Sequence, residues 1–200
     1  VVENIRKAAF ADADRLVSSL VRAFDDDPLF NWVLRQDSKR SQAYTLYFRT
    51  ALCAVTMPRG EVFVTDDCVG GALWVPSDKA EIGLAQQLSL LPDMIRAVKL
   101  RGVKRLMGVL DAMNKAHPHE RHYYLQFVGV EPAHQGKGLG SALMQPMLAR
   151  CDREACGAYL ENTQEENGAF YERFGFAVIG ELDLGRGAPS VWRMWRDPRV

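Results

Sequence analysis

The sequence predicts an α/β fold in which helices cover both faces of a mixed β-sheet. Three observations carry this prediction. An apolar, strand-like run at Val128-Gly129-Val130 leads through a bend and three alternating glycines into a helix-like stretch that opens Leu139-Gly140-Ser141-Ala142-Leu143. Short β-type runs over residues 61–65 and 69–75 flank Asp66-Asp67, a hairpin signal. Apolar residues recur at helical spacing over residues 40–56 and again over 79–115.

Taken in order, residues 2–8 can form an opening strand, and Asp12 is placed to cap a helix whose apolar face is Leu16, Val17, Leu20, Val21 and Phe24. Pro28 disfavours helical geometry at Asp27, so Asp25-Asp26-Asp27 should sit in an ordered bend. Phe30, Trp32, Val33 and Leu34 begin a second, short helix; residues 40–56 read as a third, with Tyr44, Tyr47, Phe48, Ala51 and Leu52 inward. The hairpin follows and Pro76 ends its second strand. Leu88, Leu91, Ile95, Val98, Val103, Leu106, Leu110 and Met113 then predict a helical insertion over about 79–115, ended by His117-Pro118-His119. The remainder reads as strand 123–130, helix 138–153, strand 158–163, helix 167–174 and closing strands 177–183 and 190–196.

A chain of 200 residues suits a single domain, large enough to bury well over half of its unfolded surface. The 25 Lys and Arg balance the 25 Asp and Glu, so no global field favours nucleic acid or an anionic membrane. No apolar run approaches a membrane span, and the start of the chain carries no basic-then-apolar export signal. The first residue is Val1 and not Met, so a short leader or tag is expected before it. Cys53, Cys68, Cys151 and Cys156 contain no C-x-x-C and read as reduced thiols of a cytoplasmic protein. A metal site at His117, His119 and His122 is disfavoured, because no Cys or carboxylate cluster stands nearby.

Gly136, Gly138 and Gly140 remove Cβ atoms where the backbone turns into a helix, so successive N–H groups can approach an anion. The helix adds the positive end of its dipole, and Lys137 adds charge from the rim. Three phosphate-binding readings compete. A Walker loop fails, because Gly129 and Gly136 are seven positions apart and Gly138 follows Lys137. A dinucleotide fingerprint finds Ser141 in its third glycine slot, although Glu161 falls near the expected distance downstream. The Q/R-x-x-G-x-G/A loop, which wraps the cofactor pyrophosphate in acetyl-coenzyme A enzymes, fits every position of Gln135-Gly136-Lys137-Gly138-Leu139-Gly140.

With Tyr159-Leu160-Glu161-Asn162-Thr163 and Asn167-Gly168-Ala169-Phe170-Tyr171-Glu172-Arg173-Phe174-Gly175-Phe176 downstream, and Tyr123-Tyr124-Leu125 upstream, the chain resembles the GNAT superfamily of N-acetyltransferases. Within it the puromycin N-acetyltransferase type is most similar, strongly over residues 121–179 and loosely over the first half. The resemblance implies a mostly antiparallel sheet with a splay between the cofactor strand and the next. It implies that residues 1–116 shape the acceptor pocket and 117–200 bind acetyl-CoA. Cofactor contacts would come from Phe127, Val128, Gly129 and Val130 of the splayed strand, from Gln135, Gly136, Lys137, Gly138, Leu139, Gly140 and Ser141 of the loop, and from Asn167, Phe170 and Tyr171. Unpaired main-chain groups of the splayed strand would bond the pantetheine arm as an added strand would.

Acetyl transfer from a thioester needs a neutral amine in line, donors for the developing oxyanion, and help for the departing thiolate. The resemblance points Tyr171 at the cofactor sulfur. A tyrosine of pKa about 10 facing a thiol of about 8.5 makes full proton transfer uphill by about 2 kcal/mol, so hydrogen bonding to sulfur is the expected role. The competing reading is a core tyrosine between Phe170 and Phe174. Glu161 shares a strand face with Tyr159 and is the candidate base; the alternatives are a solvated strand-end glutamate, or His122 or His119 as base. Asn167 can cap the last helix or reach the cofactor. Asp26, Asp27, Phe30 and His122 are candidates for the acceptor side, although Asp25-Asp26-Asp27 can equally be a solvated turn. Trp32, Tyr44, Tyr47, Trp74 and Trp192 read as core.

The leading expectation is acetyl-CoA-dependent N-acetylation of a small-molecule amine, an aminonucleoside or antibiotic-like compound among them, in a ternary complex. Acetylation of protein amino groups, a non-catalytic acyl-CoA sensor and a nucleotide-dependent redox protein stand as alternatives. The chain is expected to act as a monomer or homodimer, with no nucleic-acid or membrane partner and no metal.

Overall fold

The computed structural model describes residues 4–79 and 84–199. One sheet of seven strands runs in the order β1-β2-β3-β4-β5-β7-β6. The strands are β1 (Ile5–Lys7), β2 (Glu61–Thr65), β3 (Gly70–Pro76), β4 (His122–Val130), β5 (Gly157–Asn162), β6 (Ala177–Glu181) and β7 (Trp192–Arg196). Every neighbouring pair is antiparallel except β4 and β5, which run parallel. The mixed, mostly antiparallel sheet expected from the sequence is therefore present, with helices on both faces.

On one face lie α1 (Ala13–Ala23), α2 (Pro28–Val33), α3 (Arg40–Arg49) and α4 (Leu84–Ala116). Leu16, Leu20, Tyr44, Phe48 and Leu52 are wholly buried there, the inward faces predicted for the first and third helices. Each buried leucine contributes about 2 kcal/mol of hydrophobic stabilisation. On the other face α5 (Leu139–Arg153) and α6 (Gly168–Glu172) bury Leu143, Met144, Met147 and Tyr171 against Ala158 and Leu160. Alternation along β5 sends Leu160 to this second core and Tyr159 to the opposite face.

Several elements depart from the sequence reading. Asp12 precedes α1 but its side chain makes no cap bond; it accepts from Arg6 at 2.7 and 2.8 Å and from the Ala9 N–H at 2.8 Å. The third helix loses α-helical pitch at Thr50 and continues as a π-helical turn to Thr56. The insertion is helical as expected, but it breaks at Lys99, where φ is 58° and ψ is 169°. The break is clamped by the segment after α2: the Arg35 N–H donates to the Ala97 carbonyl at 3.1 Å and Lys99 pairs with Asp37. Val98 and Leu106 are buried as predicted, Val103, Leu110 and Met113 pack at the edge of the core, and Ile95 is exposed. The side chains of Leu88 and Leu91, and residue 2 of the opening strand, lie outside the described residues.

Candidate functional site

Pairing between β4 and β5 holds for His122 with Gly157, Tyr123 with Ala158 and Tyr124 with Tyr159, then ends. From Leu125 to Val130 the edge of β4 that faces β5 has no strand partner among the described residues, which is the splay that the family resemblance implied. A bulge contributes to it: Leu73 of β3 stands opposite Phe127 and Trp74 opposite Leu125, so Gln126 is the extra residue. Its side-chain carbonyl accepts from the Thr56 hydroxyl at 2.6 Å, which ties the bulge to the π-helical turn. Past the bulge, Phe127 turns into an aromatic wall made with Phe24, Phe30, Tyr47 and Phe48, at centroid distances of 5.8, 6.2, 6.2 and 5.4 Å. Val128 packs on the opposite core and Val130 is buried. Gly129 lets β4 approach α1, since a Cβ there would stand 2.9 Å from the Phe24 ring.

The glycine loop follows Val130 directly. Gln135 donates its side-chain N–H to the Val130 carbonyl at 3.0 Å, which folds the loop back over the strand end. Gly136 and Gly138 have φ of 75° and 83°, the left-handed region that favours glycine. Apart from the adjoining residues, no atom of the described residues lies within 4 Å of a Cβ built on either, so the space beside both glycines is open. Among the described residues, the N–H groups of Gly136, Lys137 and Gly138 donate to no carbonyl. Leu139, Gly140 and Ser141 open α5 and present the unpaired donors of its first turn. A Cβ built on Gly140 would stand 3.4 Å from the Phe170 ring, so α6 borders the loop on one side. Lys137 is exposed, with its ammonium 3.2 Å from the Ala133 carbonyl. A run of unpaired donors on a left-handed turn at a helix N-terminus fits a pyrophosphate.

Glu161 lies on β5 beyond the end of its pairing with β4, opposite Arg193 of β7 and on the face shared with Tyr159. Its Oε1 is buried without a hydrogen-bond partner, and so is the Tyr159 hydroxyl oxygen. Burial raises the Glu161 carboxyl above the ordinary carboxylate range, with Tyr124, Tyr159 and Arg193 pulling the other way. The Tyr159 hydroxyl is thus near enough to favour the charged form without reaching hydrogen-bond geometry. A glutamate placed in this way is poised to take a proton.

Tyr171 is buried against Phe170 and Phe176, and its hydroxyl has no hydrogen-bond partner among the described residues. Burial first, and Asp27 second, push its pKa well above that of free tyrosine, so it stays a neutral donor. Asp27, 2% exposed, caps α2: Oδ1 accepts from the Phe30 N–H at 2.9 Å and Oδ2 from the Thr163 hydroxyl. Burial raises its pKa, with both hydrogen bonds opposing. Asp27 therefore ties the start of α2 to the end of β5. Asp25 is paired with Arg40, and Asp26 is exposed. Asn167 makes no cap bond; its amide reaches Gln164 at 3.3 Å.

His122 stands at the end of β4 farthest from the loop, 1% exposed, between Tyr159, Trp195 and His117. His117, which the sequence reading placed at the end of the insertion and weighed only as a disfavoured metal ligand, joins this group with its ring 5.2 Å from Tyr159 and 5.3 Å from Tyr124. No periodicity signals such a residue, because it sits in the turn after a helix. Among the described residues no three His, Cys, Asp or Glu side chains form a metal-binding group, and no helix is long and apolar enough to cross a membrane.

The glycine loop thus lies beside a splayed parallel pair, with the buried Glu161 carboxyl on the second strand. The sequence profile of the Acetyltransferase (GNAT) family matches residues 62–176, and the chain belongs to that family of N-acetyltransferases. An uncharacterized N-acetyltransferase of Schizosaccharomyces pombe is 28% identical over 192 residues, covering 90% of this chain and 76% of that protein. The crystal structure of histone acetyltransferase HPA2 and related acetyltransferase from Corynebacterium glutamicum matches with a TM-score of 0.76 at 25% identity, over 100% of this chain and 98% of that one. Arylalkylamine N-acetyltransferase 2 from Aedes aegypti shares the fold, with a TM-score of 0.67 at 14% identity over 100% of both chains.

Proposed function

We propose that this chain transfers the acetyl group of acetyl-CoA to the primary amine of a small molecule, by direct attack in a ternary complex. The observation that carries the reading is the end of β4–β5 pairing at Tyr124 and Tyr159, next to a loop in which the N–H groups of Gly136, Lys137 and Gly138 donate to no carbonyl among the described residues. In this reading the pyrophosphate rests on the main chain of Gln135 to Ser141, with Lys137 at the rim. The main chain of Phe127, Val128, Gly129 and Val130 bonds the pantetheine arm, and Asn167, Phe170 and Tyr171 close its thioester end. When bound, the cofactor supplies an acetyl carbon activated by a thiolate leaving group. Glu161 removes the ammonium proton of the acceptor, and Tyr171 donates a hydrogen bond to the sulfur as it departs. Residues 117–200 then hold cofactor and 1–116 shape the acceptor side.

The acceptor side supports a compact amine. The wall of Phe24, Phe30, Tyr47, Phe48 and Phe127 is apolar, with Asp27 buried beside it and Asp26 at the exposed bend. His122 lies below, behind Tyr159. The Aedes aegypti neighbour is named for arylalkylamines, and the sequence resemblance to the puromycin type points to small amines as well. Protein amino groups are the second reading, favoured by the similarity to the protein titled histone acetyltransferase HPA2. Four free cysteines suit a reducing cytoplasm.

Calorimetry with coenzyme A and with NAD, followed by thiol release over small amines, aminonucleosides and lysine peptides, tests the proposal. Tight coenzyme A binding with release only on small amines is expected. Release on peptides alone would move the function to protein acetylation, and cofactor binding with no release on any amine would leave a sensor.

A further inference from the structure

The upstream end of the glycine loop is tied to α1 through one side chain. Glu131 stands between the end of β4 and the loop, and its N–H donates to the Val69 carbonyl at 2.8 Å. Its carboxylate turns onto α1: Arg22 donates to Oε1, and the Ser19 Oγ stands 2.7 Å from the same oxygen. Ser19 and Arg22 are three positions apart and share a helix face. Ser19 is buried, and its Oγ is also 2.7 Å from the Cys68 carbonyl oxygen; its one hydrogen goes to the carboxylate, because a charged acceptor forms the stronger bond. The Arg22 hydrogen bond first, aided by Ser19, holds the Glu131 carboxyl below its ordinary range against burial, so it is ionised at pH 7.

Beyond Glu131 the loop is held by its own residues. Among the described residues, the hydrogen bonds of residues 132–138 all end within residues 130–142: the His134 N–H donates to the Glu131 carbonyl, the Gln135 amide to the Val130 carbonyl and Lys137 to the Ala133 carbonyl. Residues 135–138 are exposed, and the next buried side chain is Leu139 in the first turn of α5. The loop is therefore a span between two anchors, Glu131 and Leu139. A span that contains Gly136 and Gly138 loses much conformational freedom when its N–H groups converge on an anion, and fixing its entry beforehand reduces that loss.

We propose that Glu131 is a positioning residue for the cofactor loop: latched to Ser19 and Arg22 of α1, it sets the entry of the loop so that the N–H groups of Gly136, Lys137 and Gly138 converge on the coenzyme A diphosphate. This inference rests on the reading of that loop as the diphosphate cradle. The latch and the bare charge of Glu131 act in opposite directions. A carboxylate close to the cradle repels an anionic ligand, so its removal strengthens binding if charge is all that it contributes. Removal weakens binding if the carboxylate holds the loop.

Calorimetry with coenzyme A and steady-state thiol release test the latch. Glu131→Gln keeps the size of the side chain and removes its charge. It should weaken coenzyme A about fivefold and raise KM for acetyl-CoA by a similar factor, the size expected of a half-exposed ion pair with one charged hydrogen bond. At saturation kcat should be unchanged, and so should KM for the amine. Ser19→Ala keeps the charge and loses only the hydroxyl; it should weaken coenzyme A about twofold, and the two changes together should cost less than their sum. Affinity that is unchanged or tighter in Glu131→Gln would overturn the proposal. A fall in kcat with a rise in both KM values would mark general loosening of the fold and would overturn it as well. Should Glu131→Gln not fold, Ser19→Ala decides alone, and an affinity equal to that of the unaltered protein would overturn the latch. Absence of any coenzyme A binding by the unaltered protein would instead strike the reading of the cradle, and this one with it.

Discussion

The proposed chemistry rests on the Glu161 carboxyl, whose pKa burial raises while Tyr124, Tyr159 and Arg193 favour its charged form. Glu161→Gln preserves size and removes the base. At neutral pH it should lower kcat about a hundredfold while KM for acetyl-CoA stays put. The residual rate should rise with pH, since the free amine must then come from solution; an unaltered pH profile in thiol-release assays would take the base role away. If the Tyr171 hydroxyl bonds the departing sulfur as proposed, Tyr171→Phe should lower turnover about tenfold and leave coenzyme A affinity unchanged by calorimetry. Equal turnover would leave Tyr171 as packing between Phe170 and Phe176. The pairing of Tyr159 with Glu161 on one face was legible in the sequence, since strand alternation is local. The Asp27 cap was half legible: Pro28 announced the bend, but the Thr163 partner is distant in the chain and belongs to the fold.

At the level of elements, the most readable part is the one whose conformation its own residues dictate. The loop from Gln135 to Ser141 needs left-handed backbone at Gly136 and Gly138, and glycine supplies it. Gly138→Ala forces a Cβ onto φ of 83° at a cost of about 1–2 kcal/mol without meeting any neighbouring atom. The loss should therefore appear in the cradle: coenzyme A affinity should fall about tenfold by calorimetry, with the core unaffected. Unchanged affinity would mean that the pyrophosphate does not rest there. The break in α4 was illegible for the opposite reason. Lys99 and its neighbours continue the helical periodicity, and the kink comes from Arg35 and Asp37, more than sixty positions away. The π-helical turn is likewise held by Gln126, a bulge residue of another element.

For the whole molecule, the sheet divides two cores, and titratable groups shifted by burial gather around β4 and β5: Asp27 and Glu161 toward the splay, His122 and the partly exposed His117 at the paired end. Their effects on stability oppose one another. His117 titrates at about 4 in the fold against an ordinary 6.5, and His122 is lowered as well. Between these values the unfolded chain binds the proton that the fold refuses, so their stabilisation is full above pH 6.5 and is lost as pH falls toward 4. Asp27 and Glu161 are raised, so the fold binds their protons first, and their stabilisation is lost as pH rises through their folded values. Asp12 and Asp37, depressed by hydrogen bonds from Arg6 and Arg35, stay ionised across this range and matter only at lower pH. Replacing one histidine therefore isolates one slope. Urea unfolding of His117→Gln should show a smaller loss of stability between pH 7 and pH 5 than the unaltered protein shows, whatever the carboxylates add to both. Equal losses would mean that His117 takes up its proton as readily in the fold as in the open chain, which its packing between His122, Tyr124 and Tyr159 does not allow.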